Sequence, residues 1–167
     1  MKRVVSVAFV LLFCLGASEC RFEDDLGEER ILDFETLNNV DGSRAQGDTS
    51  GIGSAQLVVI RDEDSFAELW ERHAAGFTNP PARPDVEFGE RMLIAAFAGT
   101  RPTTGYSITV EEIRENDEFI NVDVETRTPG NGCDVAERET QPFHIVVLDD
   151  SDAPVNFNQS TVKGSAC

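Results

Sequence analysis

Apolar and polar residues in this chain repeat with two different periods. Met92-Leu93-Ile94-Ala95-Ala96-Phe97-Ala98 is an almost unbroken apolar run, the pattern of a strand buried on both faces. Farther on, Tyr106, Ile108 and Val110 alternate with Ser107, Thr109 and Glu111, and Ile120, Val122 and Val124 alternate with Asn121, Asp123 and Glu125. Alternation of this kind predicts half-buried strands. The polar stretch Arg114-Glu115-Asn116-Asp117 separates the two, so strands from about Tyr106 to Ile113 and from Phe119 to Thr126 are expected to form an antiparallel hairpin. Further strands are predicted at Ile31 to Leu37, Leu57 to Ile60, Phe143 to Leu148 and Val155 to Val162. Between the first two, Asn38 to Ala55 is glycine-rich and reads as a mobile loop. Asp149-Asp150-Ser151-Asp152 reads as a solvated acidic turn.

One segment has the helical period instead. Phe66, Leu69, Trp70 and His73 follow i, i+3, i+4, i+7 spacing and share one face. Ser65 and Glu68 match a capping box, while Asp62 or Asp64 could equally cap. Gly76 is expected to end the helix, and Pro80, Pro81 and Pro84 force a non-helical crossing to the strand at Met92. Trp70 reads as a core anchor and His73 as a satisfied, partly buried residue. His144 alternates with Phe143 and Ile145 and should point away from the face they share. These elements make a mainly β domain with one α-helix, either a β-sandwich or a partly open barrel. The pattern leaves the strand order open.

The N-terminus follows a different logic. Lys2 and Arg3 precede an apolar run from Val4 to Leu15, then Gly16-Ala17-Ser18-Glu19-Cys20. A basic start, a short apolar centre and small residues at a cut describe a secretory signal over residues 1–19. Residues 20–30 then read as a charged tether and 31–167 as a single domain. Cys20 suggests lipoprotein processing, with lipid on that residue, although Glu19 replaces the small residue usual before such a Cys. An ordinary cut after Ser18 or Glu19 is the alternative. The expected location is therefore the bacterial cell envelope as a lipoprotein, or secreted or periplasmic.

Cysteine arithmetic adds a staple. Cys14 leaves with the leader, so Cys20, Cys133 and Cys167 remain. If Cys20 carries lipid, Cys133 and Cys167 are expected to pair, since export permits a disulfide. No Cys-x-x-Cys or Cys/His cluster points to a metal. The formal charge is −17, which argues against a nucleic-acid partner. It also gives the body little attraction to an anionic membrane, so membrane association would run through the lipid.

Three loops carry the candidate function. Gly99-Thr100-Arg101-Pro102-Thr103-Thr104-Gly105-Tyr106 joins two strands and is stiffened by Pro102. Thr128-Pro129-Gly130-Asn131-Gly132-Cys133 is a second glycine- and proline-containing loop, and Gln141-Pro142-Phe143 is a third. Their order resembles the chagasin-like inhibitors of cysteine proteases, in which three loops sit at one end of an immunoglobulin-like sandwich. In that family the first loop reads Asn-Pro-Thr-Thr-Gly-aromatic and the last Arg-Pro-aromatic. Here Arg101 stands in the Asn position, Gln141 replaces the Arg, and the middle segment is shorter. The immunoglobulin-like version of the sandwich follows from this resemblance alone.

A wider resemblance runs from about Ile31 to Cys167. Leu57-Val58-Val59-Ile60-Arg61-Asp62, the Trp70 helix, the run from Leu93 to Gly99, Arg101 to Ile108, Pro129 to Cys133 and Gln141 to Val146 together look like the C-terminal domain of PrcB. PrcB is a lipoprotein subunit of a bacterial surface protease complex. The resemblance implies an exported β-domain that binds an extracytoplasmic protease and is not itself an enzyme. Its binding residues would be Arg101, Pro102, Thr103, Thr104, Gly105 and Tyr106, with Gly130, Asn131, Gly132, Gln141, Pro142 and Phe143. Phe143 would be the apolar anchor, and Thr104→Arg should block approach to the partner without harming the fold. No cofactor is implied. The sequence has no Gly-x-Ser-x-Gly elbow and no His-Glu-x-x-His, so catalysis is unsupported. The competing class is a structural envelope lipoprotein with no protease partner.

Overall fold

The computed structural model describes residues 29–39, 41, 43 and 45–166. The expected leader, Cys20, Cys167 and the tether up to residue 28 lie outside them. Among the described residues the chain forms β1 (Arg30–Ile31), β2 (Phe34–Thr36), β3 (Gln46–Gly47), β4 (Gln56–Ile60), α1 (Glu63–Ala74), β5 (Arg91–Phe97), β6 (Ser107–Glu115), β7 (Ile120–Thr128), β8 (Phe143–Asp149) and β9 (Val155–Lys163). One sheet has the order β1-β6-β7-β9. The other has β2-β8-β5-β4, with β3 also paired to β8. This is a sandwich of two open sheets, not a barrel.

Two strands organise the layers. β5 and β8 pair antiparallel through Arg91–Phe97 and Phe143–Asp149 and are buried on both sides. Period-two alternation sends Met92, Ile94, Ala96, Val146 and Leu148 toward the first sheet. It sends Leu93, Ala95, Phe97, Phe143 and Ile145 to the opposite side, where α1 covers them. The near-continuous apolar run at Met92 thus serves two cores at once.

Helix α1 begins where Asp62 caps it. The Asp62 carboxylate accepts from the Ser65 amide at 2.8 Å and from its hydroxyl at 2.8 Å. Those bonds hold the Asp62 carboxyl below its usual range. Phe66, Leu69, Trp70, His73 and Ala74 form the buried stripe. The Trp70 indole N–H donates to the Pro81 carbonyl at 3.1 Å, which fixes the proline crossing.

Three expectations change. The strand predicted from Ile31 to Leu37 breaks at Leu32-Asp33, and its halves join different sheets: β1 pairs with β6, and β2 with β8. Arg30, expected in the tether, lies in β1 and pairs with Glu115 of β6. The glycine-rich stretch before β4 is built into the core: Ala45 and Ile52 are buried, and β3 pairs with β8.

Both histidines are buried, His73 at 1% exposure and His144 at 3%. His73 Nδ1 lies 3.0 Å from the Ser50 hydroxyl, and its ring is surrounded by Trp70, Phe77, Phe97 and Phe143. His144 faces away from Phe143 and Ile145, into the space between the sheets. A bulge interrupts β6 between Val110 and Glu112, and the Val110 N–H donates to His144 Nδ1 at 2.9 Å. Because Nδ1 accepts, the proton sits on Nε2, which donates to Thr36 Oγ1 at 2.9 Å. Burial pushes both imidazoles down to about 4.

The unfolded chain, with ordinary histidines near 6.5, therefore binds protons first as pH falls. Stability present above about pH 6.5 is lost progressively toward pH 4, by about 3 kcal/mol per histidine at most. Urea unfolding at pH 7 and pH 4.5 should show this loss, and His73→Leu should reduce the pH slope by about half.

Candidate functional site

The strand register decides where the loops lie. Phe97 is opposite Phe143, and Ser107 is opposite Arg127. The β5–β6 connection (98–106) and the β7–β8 connection (129–142) therefore leave the sandwich at the same end. Pro129–Cys133 and Gln141–Pro142 are the two ends of one connection, not two separate loops.

Direct bonds join the connections. Arg101 and Thr140 exchange backbone hydrogen bonds at 2.8 and 2.9 Å, as an isolated antiparallel bridge. The Thr140 hydroxyl, buried at 1% exposure, donates to the Thr103 carbonyl at 3.0 Å. The Thr104 amide donates to the Ala136 carbonyl at 3.1 Å, and the Thr104 hydroxyl accepts from the Ala136 amide at 2.9 Å. The Ala98 amide reaches the Pro142 carbonyl at 2.9 Å. Gly105 has φ +88°, and a Cβ there would meet Val135 and Pro129 at 3.1–3.4 Å. The Arg101 guanidinium lies 5.8 Å from the centre of the Tyr106 ring, with its Nε buried and unpartnered.

Other segments brace the same end. The Thr100 amide donates to the Gly53 carbonyl at 3.0 Å and the Gln141 amide to the Asp48 carbonyl at 2.8 Å. Arg138 pairs with Asp48 at 2.7 Å. The Gly164 amide donates to the Thr128 carbonyl at 2.8 Å, and the Ser165 carbonyl fills the place a Gly130 Cβ would need. Cys133 Sγ is 3.6 Å from that carbonyl oxygen.

Thr100, Pro102, Gly105, Asn131 and Gly132 are exposed at this end, and so are Asp134, Ala136 and the charged run Glu137, Arg138 and Glu139 of the longer connection. Arg101, Thr103, Thr104, Tyr106, Gly130 and Gln141 are half-buried, and Pro142 is buried. Phe143 cannot be the exposed anchor. It is 4% exposed, with its ring 4.4 Å from His73 and near Phe97 and Phe77. Its place as the first residue of a doubly buried strand puts it in the core. Thr104 is likewise no neutral surface position, because its backbone and hydroxyl both tie the loops together.

Residues 92–149 match the family model for PrcB C-terminal. This stretch contains most of β5, the β6–β7 hairpin, both connections and β8, and over it the chain is similar to the PrcB C-terminal domain. The match is narrower than the resemblance expected from Ile31 to Cys167. No curated protein and no solved structure matches the chain. The PrcB-like domain suggests a non-catalytic role associated with a protease complex. Among its described residues no group of three or more His, Cys, Asp and Glu side chains is arranged to hold a metal.

Sequence reasoning missed Thr140, Ala136 and Asp48 as parts of this end. Thr140 carried a weak signal as the one uncharged residue in Glu137-Arg138-Glu139-Thr140. Thr140→Val keeps the shape but removes the bond to Thr103, and should cost about 1 kcal/mol. Gly105→Ala should cost about 1–2 kcal/mol, because a side chain resists this φ. Urea unfolding measures both, and amide exchange at Thr104 should quicken in each variant.

Proposed function

We propose that the chain is an exported, lipid-anchored partner of an extracytoplasmic protease, which it stabilises or anchors through the end formed by its two connections. The observation that carries this reading is the stitching of residues 98–106 to residues 129–142. A surface already fixed by Arg101–Thr140 and Thr104–Ala136 bonds loses little freedom on docking. The PrcB-like match supplies the kind of partner. Stabilisation is favoured over insertion into the protease cleft. The Thr-Thr-Gly segment spends its polar groups on its own neighbour, and the aromatic that would anchor a wedge is buried.

Anchoring rests on Cys20, and the brace on a Cys133–Cys167 disulfide. Ser165 already touches Cys133, and two residues span about 7 Å, so Cys167 is within reach. Such a bridge closes a loop of about 35 residues, worth roughly 3–4 kcal/mol in chain-entropy models. Intact mass of the native protein should give a lipid-modified chain beginning at Cys20, and non-reducing peptide mapping should give the joined cysteine peptides. An unmodified N-terminus removes the anchor from the proposal; separate cysteine peptides remove the brace.

Pro102→Arg with Asn131→Arg tests the contact surface. Both positions are exposed, so folding should change by no more than about 0.5 kcal/mol each. Affinity capture from the native envelope should recover a protease with the wild-type chain and about tenfold less with the double variant. Equal recovery would move the contact elsewhere. If the wild-type chain captures no protease, the structural envelope lipoprotein is the better account.

A further inference from the structure

The sandwich has a second exposed feature, an open strand edge that runs along its flank and reaches the loop end at Lys163. β9 is a terminal strand of its sheet, and among the described residues nothing pairs with its outer edge. It pairs in parallel with β7 without interruption from Val155–Ile120 to Lys163–Thr128. Its unpaired groups follow from the ladder. At one end the Pro154 carbonyl accepts from Ile120, and at the other the Gly164 amide donates to Thr128. Two-residue alternation then turns Asn156, Asn158, Ser160 and Val162 toward β7. The N–H and C=O groups of Val155, Phe157, Gln159 and Thr161 face outward.

Edges of this length are normally protected by charge, proline or a bulge. From Val155 to Val162 this strand has none of them, and its single charge, Lys163, stands at the end. The flank beside it is also incompletely closed. Arg61, just beyond β4, donates to the Ser151 and Ala153 carbonyls at 2.8 and 2.7 Å, so the β4 and β9 edges lie on the same side of the sandwich. Leu57 and Val59 from β4, with Val155 and Phe157 from β9, are only partly buried there.

We propose that the β9 edge is a strand-addition site for an extended segment of a partner protein with apolar residues at alternate positions and a basic residue at its end. Added main chain would satisfy the four outward-facing residues, and alternate apolar side chains would cover Val155 and Phe157. Charge selects the occupant. The chain carries −17, and exposed Asp150 and Asp152 stand immediately before the edge. A second copy would bring a further charge of −17 to this flank, whereas a basic segment is attracted to it. This site does not depend on the loop end being the protease contact.

The probe is a peptide of alternating valine and threonine with lysine at both ends, about nine residues long. Added to the full chain, it should slow amide exchange at Phe157, Gln159 and Thr161 saturably, by about fivefold or more at saturation, leaving Asn158 and Ser160 unchanged. Gln159→Pro removes an outward N–H without removing a ladder bond, so it should abolish this protection while leaving the melting transition in place. A peptide with glutamate in place of its lysines should bind more weakly. The proposal fails if the peptide gives no saturable protection, if Gln159→Pro binds it equally, or if the glutamate peptide binds as well. It also fails if the outward amides are already slow in the free protein, whether covered by another part of the chain or by a second copy.

Discussion

β8 is the strand on which the molecule depends, because it must satisfy two cores and two sheets at the same time. Phe143 and Ile145 fill the space under α1, while Val146 and Leu148 fill the space between the sheets. His144 sits on the inter-sheet side and could have been a buried liability. Instead it takes the one amide of β6 that the bulge at Glu111 turns inward. A neutral imidazole thus joins the two sheets by a hydrogen bond that neither backbone could make alone. The second histidine, His73, does similar work on the other side, tying α1 to Ser50 and lying against Phe143.

The loop end inherits its rigidity from that strand. Phe143 is held in the core, so Pro142 and Gln141 have little freedom. Pro142 then receives the Ala98 amide, and Gln141 donates to Asp48. From these fixed points the longer connection runs back along the shorter one through Thr140 and Ala136. The proposed contact surface is thereby assembled from two connections. Its exposed part sets Pro102, Asn131 and Gly132 beside the charged Asp134, Glu137, Arg138 and Glu139, a mixed surface of the kind protein partners meet at an interface rim.

Much of this was legible in the sequence because burial imposes a period. The run at Met92, the β6–β7 hairpin and the helix stripe from Phe66 to His73 all come from side chains forced to one face or both. The order of strands carries no such period and was not legible. The break at Leu32-Asp33 was hidden because Ile31 to Leu37 holds four apolar residues and neither Gly nor Pro to mark a stop, and only the geometry of two facing sheets divides it. The loop motifs revealed which residues gather at one end but not which of them are spent on each other. Phe143 looked like an anchor since an aromatic after proline has the same letter whether it faces solvent or core. The hydroxyl bonds of Thr104 and Thr140 depend on partners more than 30 residues away in the chain, beyond any local pattern.

The parallel pairing of β9 with β7 has a consequence for how the chain reaches its native state. Between them the backbone leaves the sheet, passes through β8 in the opposite layer and returns. A parallel neighbour reached by such a crossover forms only after distant contacts have closed, and non-local topologies of this kind fold in milliseconds to seconds instead of microseconds. Until that closure, the side of β7 from Ile120 to Thr128 is an open template with Val122 and Val124 beside it. The interval before β9 arrives is therefore when a neighbouring unfolded chain competes most effectively for that template. For this protein, crowding during folding and the stability of the finished domain are separate hazards.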